Sequence, residues 1–354
     1  MKHMAKEKKR SSGKKIVLII ISVLLALILA VMAGASIWIG SMLGKINRVP
    51  EAEETLSDEE IESILQETDE PMDEEFTGEI LNPEDVELAT EPAEIIEEED
   101  HILNILLIGQ DARPGQKRQR SDSMILCTVD TEKKTLVMTS FLRDLYVDIP
   151  DWNGKTYYDN RLNVNYVFGG MGMLDKCLEM NFGVVVDYNI EVNFEGFTEI
   201  IDLMGGVDIE LSKGEAWYIN LGKEDGSSRV STGWNHLNGE DALTYSRIRK
   251  LDSDFGRTNR QRTVLLALLE QVRNSSLKDI LALTDAIFPM ITTDMENSEI
   301  VDVVMKVFPV LTELEVTTQH IPAEGTYRGA SIAGMSVLVA DMDANRQILK
   351  DTIG

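Results

Sequence analysis

Apolar and polar positions follow several different rhythms along this chain. Residues 16–43 carry no formal charge and are mostly apolar. About 20 apolar residues suffice to cross a bilayer as a helix, so this run is expected to be a single transmembrane span. From His101 the rhythm shortens. Ile102 to Gly109, Ser123 to Val129 and Thr135 to Ser140 are short β-prone runs bounded by polar segments, the pattern of sheet-core strands. Leu174 to Met180 and Phe197 to Met204 have helical spacing; Gly205-Gly206 stops the second, and Val207 to Leu211 resumes as a strand. Arg260 to Arg273 is the clearest amphipathic helix, with Val264, Leu265, Leu268 and Leu269 predicted on one face. Glu299 to Leu311 predicts a further helix, Ser336 to Val339 a last strand, and a terminal helix starts at Asp343. Strands alternating with helices make this an α/β chain.

Charge divides the chain more sharply than hydropathy does. Residues 1–50 hold nine Lys or Arg and one acid, whereas residues 51–100 hold 23 acids and no base. Lys6, Lys8, Lys9, Arg10, Lys14 and Lys15 precede the apolar run, which predicts a cytoplasmic N-terminus and everything after the span outside. At 28 residues the run exceeds the roughly 7 to 15 of a signal-peptide core, so an uncleaved anchor is expected. The acidic stretch contains Pro71, Pro83 and Pro92 and reads as an extended, self-repelling spacer with a helical patch around Glu59 to Leu65. The expected organisation is a basic tail (1–15), a span (16–43), an acidic linker (44–100) and a catalytic domain (101–354). Most of the net charge of −27 sits in the acidic linker and so says little about ligands; no polyanion-binding surface, and no nucleic-acid partner, is expected. Cys127 and Cys177 lie among apolar residues and are read as buried thiols rather than a disulfide.

Against that acidic background, five of the fourteen arginines beyond residue 100 fall between Arg247 and Arg262. A guanidinium binds phosphate oxygens in a planar fork, and a diphosphate needs several such partners. Arg143, Arg247, Arg249, Arg257, Arg260 and Arg262 are candidates. Asp111 and Asp122 flank a loop rich in Gly, Pro, Lys and Arg, with no His or Cys close by. Hard oxygen ligands of that kind suit Mg²⁺ or Mn²⁺, which takes one or two carboxylates and completes its shell with phosphate oxygens. No Gly-x-Ser-x-Gly, no Walker loop and no Cys/His pair is present, which excludes the usual covalent hydrolases and P-loop NTPases.

Seven ordered motifs resemble the LytR-CpsA-Psr family. Asn104 to Asp111 is similar to the family's opening strand and aspartate, and Arg120-Ser121-Asp122-Ser123-Met124 to its Arg-Ser-Asp-Thr-Met element. Phe141 to Val147 resembles the Pro-Arg-Asp segment, with Leu142 in the proline position, and Asn163 to Gly170 the Asn-Ala-Ala-Tyr-x-x-Gly-Gly segment. Leu203 to Val207, Leu237 to Leu243 and Arg247 to Arg262 complete the set. The resemblance implies an αβα sandwich with a central mixed sheet, whose apolar pocket holds a lipid tail. It implies transfer of a glycopolymer from a polyprenyl-pyrophosphate carrier to peptidoglycan at the cell membrane of a Gram-positive-type envelope. Asp111 and Asp122 would hold Mg²⁺, and Arg113, Arg120, Arg143, Arg247, Arg249, Arg257, Arg260 and Gln261 would surround the pyrophosphate. Arg143, Asp111 and Asp144 are the expected catalytic residues, with Asp111 and Asp144 both open as general base. With water as acceptor the same site makes a hydrolase; without turnover it makes an envelope sensor or transcriptional attenuator. The segment before residue 16 is too short for a folded DNA-binding domain.

Overall fold

The three short β-prone runs lie side by side in one sheet. The computed structural model describes residues 40–49, 56–67, 78–86, 88, 91–97, 99–110, 118–221, 223 and 229–354. In chain order these form β1 (Asn47–Arg48), α1 (Asp58–Glu67), β2 (Glu79–Leu81), β3 (Ile102–Gln110), β4 (Ser121–Asp130), β5 (Thr135–Phe141), β6 (Tyr146–Val147) and β7 (Asn160–Arg161). There follow α2 (Val164–Phe182), β8 (Tyr188–Asn193), α3 (Phe194–Leu203), β9 (Val207–Leu211), α4 (Lys213–Asn220), β10 (Gly233–Leu237) and α5 (Gly239–Ser246). The last third holds α6 (Asp254–Asn274), α7 (Leu277–Ile287), β11 (Thr292–Thr293), α8 (Asn297–Val307), β12 (Glu315–Ile321), β13 (Tyr327–Ile332), β14 (Met335–Ala340) and α9 (Met342–Ile353).

The chain divides into two units, residues 1–45 and 46–354. Of the first, residues 40–45 are described; Gly44 N donates to Gly40 O at 3.0 Å. Among the described residues no helix is long and apolar enough to cross a membrane, and the span expected at 16–43 lies, but for its last four residues, outside them.

In the second unit the sheet has seven strands in the order β1-β11-β8-β3-β4-β5-β12. β3 runs parallel to β8 and β5 to β12, while β4 runs antiparallel to both β3 and β5, so the sheet is mixed. Alternation sends Leu106, Ile108, Met124, Leu126 and Phe141 into a core with α2 and α9. Leu103, Ile125, Val129, Leu136 and Met138 face the other way, toward Leu265, Leu266 and Leu269 of α6 and toward Val307, Val310 and Leu311 at and beyond the end of α8. Two helical layers therefore enclose the sheet, as expected of an αβα sandwich. A smaller core gathers α3, β9, α4 and α5 around Ile201, Ile209 and Ala242.

Three expectations change. Val264 and Leu268 do not share a face with Leu265 and Leu269: they pack into the smaller core, so α6 is gripped from two sides. The helix also begins earlier than Arg260, at Asp254. Finally, folded structure reaches back before His101. α1 falls where the helical patch was expected, Leu56 and Ile64 pack on Val167, Ile96 joins the main core, and β2 pairs with β13. Apolar positions spaced among the carboxylates let this acidic stretch bury one side while its charges stay in water.

Candidate functional site

A bulge at the end of β3 sets up the site. Gly109 pairs with Ser123 and Gln110 with Ser121, which leaves Asp122 as the extra residue opposite no partner. Such a bulge re-aims the side chain it carries. Asp122 Oδ1 thereby accepts from Arg143 Nη1 at 3.0 Å. Arg143 sits in the turn after β5. The preceding Leu142, fully buried, donates its N–H to the Ile321 carbonyl at 2.8 Å, a bond the proline of the family motif could not make. Leu142 thus ties the Arg143 turn to β12.

Around this pair lies an alternating ring of charge. Arg143 Nε is 3.5 Å from Asp144 Oδ2, and Asp144 Oδ1 is 3.6 Å from Arg161 Nε. Asp254, in the first turn of α6, is held by Arg257 at 2.8 Å and lies 3.7 Å from Arg249. Among the described residues the ring counts four guanidiniums and three carboxylates. Burial pushes the Asp122 carboxyl up, but Arg143, Arg257 and Arg249 outweigh it and hold it below the usual 3.8. Arg257 is only 3% exposed. Burial, with the nearby charges of Arg143 and Arg249, outweighs the pull of Asp254 and pushes its guanidinium down to about 10. Arg257 is thus repelled by Arg143 and Arg249 in a partly dry site, where an anion would relieve it, whereas burial of the Arg143 guanidinium is outweighed by Asp144, Asp254 and Asp122, which hold it above its ordinary value.

The other expected residues separate into groups. Gln261 stands beside the ring, its Oε1 accepting from Ser123 Oγ at 3.2 Å. Arg247 caps the end of α5, exposed, with its guanidinium 4.3 Å over the Phe194 ring. Arg120 Nη2 donates to Leu65 O at 2.8 Å. Arg260 turns to the far side of α6: it donates to Glu215 at 2.7 Å, to Ile248 O at 2.9 Å and to both oxygens of Asp252. Asp111 and Arg113 lie outside the described residues. Sequence reasoning singled out neither Arg161 nor Asp254 as a site residue; the position of Arg161 just before the Asn163-to-Gly170 motif was the available signal. The Gly169-Gly170 pair of that motif breaks α2. Gly170 has φ +62°, and a Cβ at Gly169 would lie 2.5 Å from the Trp152 indole.

The ring fits an oxyanion better than a metal cage. Among the described residues no three His, Cys, Asp or Glu side chains converge as a cage would require. An ion that borrows its remaining ligands from phosphate is a different case. Asp122 is ionised, and no described residue donates to its Oδ2, so it suits such an ion. Both cysteines are free thiols, Cys177 fully buried and Cys127 partly.

Known proteins share sequence and fold with this chain. The model of the LytR_cpsA_psr family matches residues 64–353. The polyisoprenyl-teichoic acid–peptidoglycan teichoic acid transferase TagU of Bacillus licheniformis is 39% identical over 176 residues, covering 49% of this chain and 53% of that protein. Its counterpart from Bacillus mycoides is 34% identical over 203 residues, covering 56% and 62%. The chain thus matches about half to three-fifths of the length of these curated relatives. Among solved structures, TagT bound to LIIa-WTA superposes with a TM-score of 0.59 at 26% identity, covering 75% of this chain and 95% of that one. With the family model spanning most of its length and every motif in order, the chain belongs to the LytR-CpsA-Psr family.

Proposed function

We propose that the protein is a membrane-anchored, extracytoplasmic phosphotransferase that moves a glycopolymer of the teichoic acid kind from a polyprenyl-pyrophosphate carrier to peptidoglycan. The observation that carries this reading is the crowding of Arg143, Arg249 and Arg257 about Asp122, whose carboxyl all three hold down. Curated relatives with transferase names support the reaction, and the uncharged run with its basic flank supports the anchor. In the mechanism, Arg143, Arg249 and Arg257 bind the pyrophosphate and receive the charge that grows on its oxygens in the transition state. Asp144, facing both Arg143 and Arg161, keeps the Arg143 fork aimed. Asp122, together with Asp111, would hold Mg²⁺, which supplies Lewis acidity and orientation when bound. A peptidoglycan hydroxyl attacks the glycan-side phosphorus, its proton passes to a carboxylate, and the bridging oxygen departs on polyprenyl phosphate.

The test is to incubate the detergent-solubilised full chain with a polyprenyl-pyrophosphate glycan, Mg²⁺ and a peptidoglycan oligomer, and to weigh the products. Glycan joined to the oligomer through one phosphate is expected. Free glycan phosphate alone would replace transfer by hydrolysis, and an intact, bound lipid would replace catalysis by sensing.

A further inference from the structure

Three aromatic side chains meet beside the ring of charge, outside the cores. Phe255, in the first turn of α6, follows Asp254 of the ring. It stacks on Tyr327 of β13 with 4.7 Å between centroids, and His320 of β12 meets it edge-on at 4.9 Å. All three are half-buried, and neither Phe255 nor Tyr327 belongs to a hydrophobic core of the fold. His320 stands opposite Ser140 in the ladder, and the next residue, Ile321, accepts the Leu142 N–H just before Arg143. The aromatic group therefore adjoins the charged ring through both Asp254 and Arg143.

Its polar tips are open. The Pro322 carbonyl can only accept, so His320 Nδ1 carries the proton of their 2.8 Å bond, and Nε2 of the neutral ring is left as an acceptor. Among the described residues neither His320 Nε2 nor the Tyr327 hydroxyl has a hydrogen-bond partner. Burial, and after it the charge of Glu324, pushes the Tyr327 phenol up, so the hydroxyl keeps its proton and stays a donor. Aromatic faces joined to open polar tips suit a ligand that is apolar on its face and polar around its rim. A pyranose ring is such a ligand: its C–H groups gather on a face, and its hydroxyls project from the edge.

We propose that Phe255, His320 and Tyr327 form a subsite for one pyranose ring of the acceptor glycan. This rests on the transferase reading above and adds the place of the sugar that attacks. Attacking and leaving oxygens stand roughly in line across the transferred phosphorus. A carrier on the apolar face of α6, where Leu265 and Leu269 follow the arginines, sends the leaving oxygen down the helix. The attacking oxygen then enters from the first turn of α6, where the aromatic group lies. The three side chains make and break no bond; they hold the acceptor sugar with its hydroxyl toward the phosphorus bound by Arg143, Arg249 and Arg257. The donor's own first sugar shares this chemistry, and kinetics separate the two.

The test is steady-state transfer by the detergent-solubilised full chain, with the peptidoglycan oligomer and the polyprenyl-pyrophosphate glycan varied separately. Tyr327→Leu and Phe255→Leu keep apolar bulk and remove the flat face. Each is expected to raise KM for the oligomer about five- to tenfold, with kcat and the donor KM changed by less than about threefold, as loss of one aromatic contact to the acceptor requires. Tyr327→Phe, which keeps the face and loses the hydroxyl, should recover most of the acceptor KM. An unchanged oligomer KM in both leucine variants overturns the subsite. So does a rise in the donor KM alone, which assigns the ring to the first sugar of the glycopolymer. An equal loss for both substrates with a fallen Tm also overturns it, leaving the rings a role in packing only. If Phe255→Leu does not fold, Tyr327→Leu on β13 decides. A wild-type chain without turnover fails the transferase reading, and saturation-transfer NMR with chitotetraose then tests the subsite alone. Saturation that reaches the sugar in the wild type and is lost in Tyr327→Leu upholds it; none in the wild type overturns it.

Discussion

Arg143 belongs to two ion pairs at once, which separates its role from packing. Its guanidinium faces Asp122 at 3.0 Å and Asp144 at 3.5 Å, and its side chain is 21% exposed. Little apolar burial is at stake. Arg143→Ala should therefore lower turnover by about two to three orders of magnitude, the usual cost of losing one preorganised donor to a developing oxyanion, with only the modest fall in Tm that loss of its ion pair to Asp122 brings. Near-normal turnover would remove Arg143 from the chemistry. Asp122 makes a complementary case. Its folded carboxyl titrates below 3.8, so the ionised form stabilises the fold above that value, and the contribution disappears as pH falls through the folded value. The Tm gap between wild type and Asp122→Asn should accordingly be widest near neutrality and narrow below about 3.8. The same variant should weaken Mg²⁺ binding in a calorimetric titration; an unchanged curve would leave Asp122 only the role of a bulge residue paired to Arg143.

At the scale of elements, the smaller core positions the arginine segment, and one contact shows how tightly. Gly239 opens α5 so close to α3 that a Cβ there would lie 2.1 Å from the Thr198 carbonyl oxygen. Backbone cannot step aside as a side chain can, so Gly239→Ala should push α3 and α5 apart and destabilise by about 1 to 3 kcal/mol, lowering Tm by several degrees. The same shift would pull Arg247, which caps α5, off the Phe194 ring that opens α3; an unaltered melting curve would show that the helices re-pack without strain. What the sequence revealed follows from the same physics. β3, β4 and β5 were legible because each buries both faces as a short apolar run, and α9 because its start follows a strand. The first turn of α6 was not, since Arg257, Thr258, Arg260 and Arg262 are buried by ion pairs and hydrogen bonds rather than by apolarity. Spacing alone likewise could not tell that Arg260 turns to Glu215 and Asp252 while Arg257 turns to the ring. The bulge that delivers Asp122 is a product of strand register, which no local pattern encodes.

On the scale of the whole molecule, the question is what the basic and apolar first segment contributes to a domain that has its own sheet and cores. Residues 46–354 form one unit with its own sheet, and β1 is already paired to β11 from Asn47 onward. The acidic stretch between β1 and β3 belongs to that unit: Leu56, Ile64 and Ile96 are buried, and β2 completes the β13–β14 sheet. Deleting residues 1–43 should therefore leave the melting transition intact, whereas deletion through residue 100 should unfold or severely destabilise the chain. If the apolar run is the anchor we propose, the first deletion moves the protein from the membrane to the soluble fraction on cell fractionation. Binding of inorganic pyrophosphate, which depends on the arginine ring, should survive that release. Transfer from a donor embedded in vesicles should fall, while transfer from a short-chain donor in solution should not, because the anchor raises the local concentration of enzyme at the surface that carries the lipid. A truncated chain that stays with the membrane would refute the anchor and direct attention to the surface of the folded domain. Release accompanied by loss of pyrophosphate binding would show that the first segment supports the site itself.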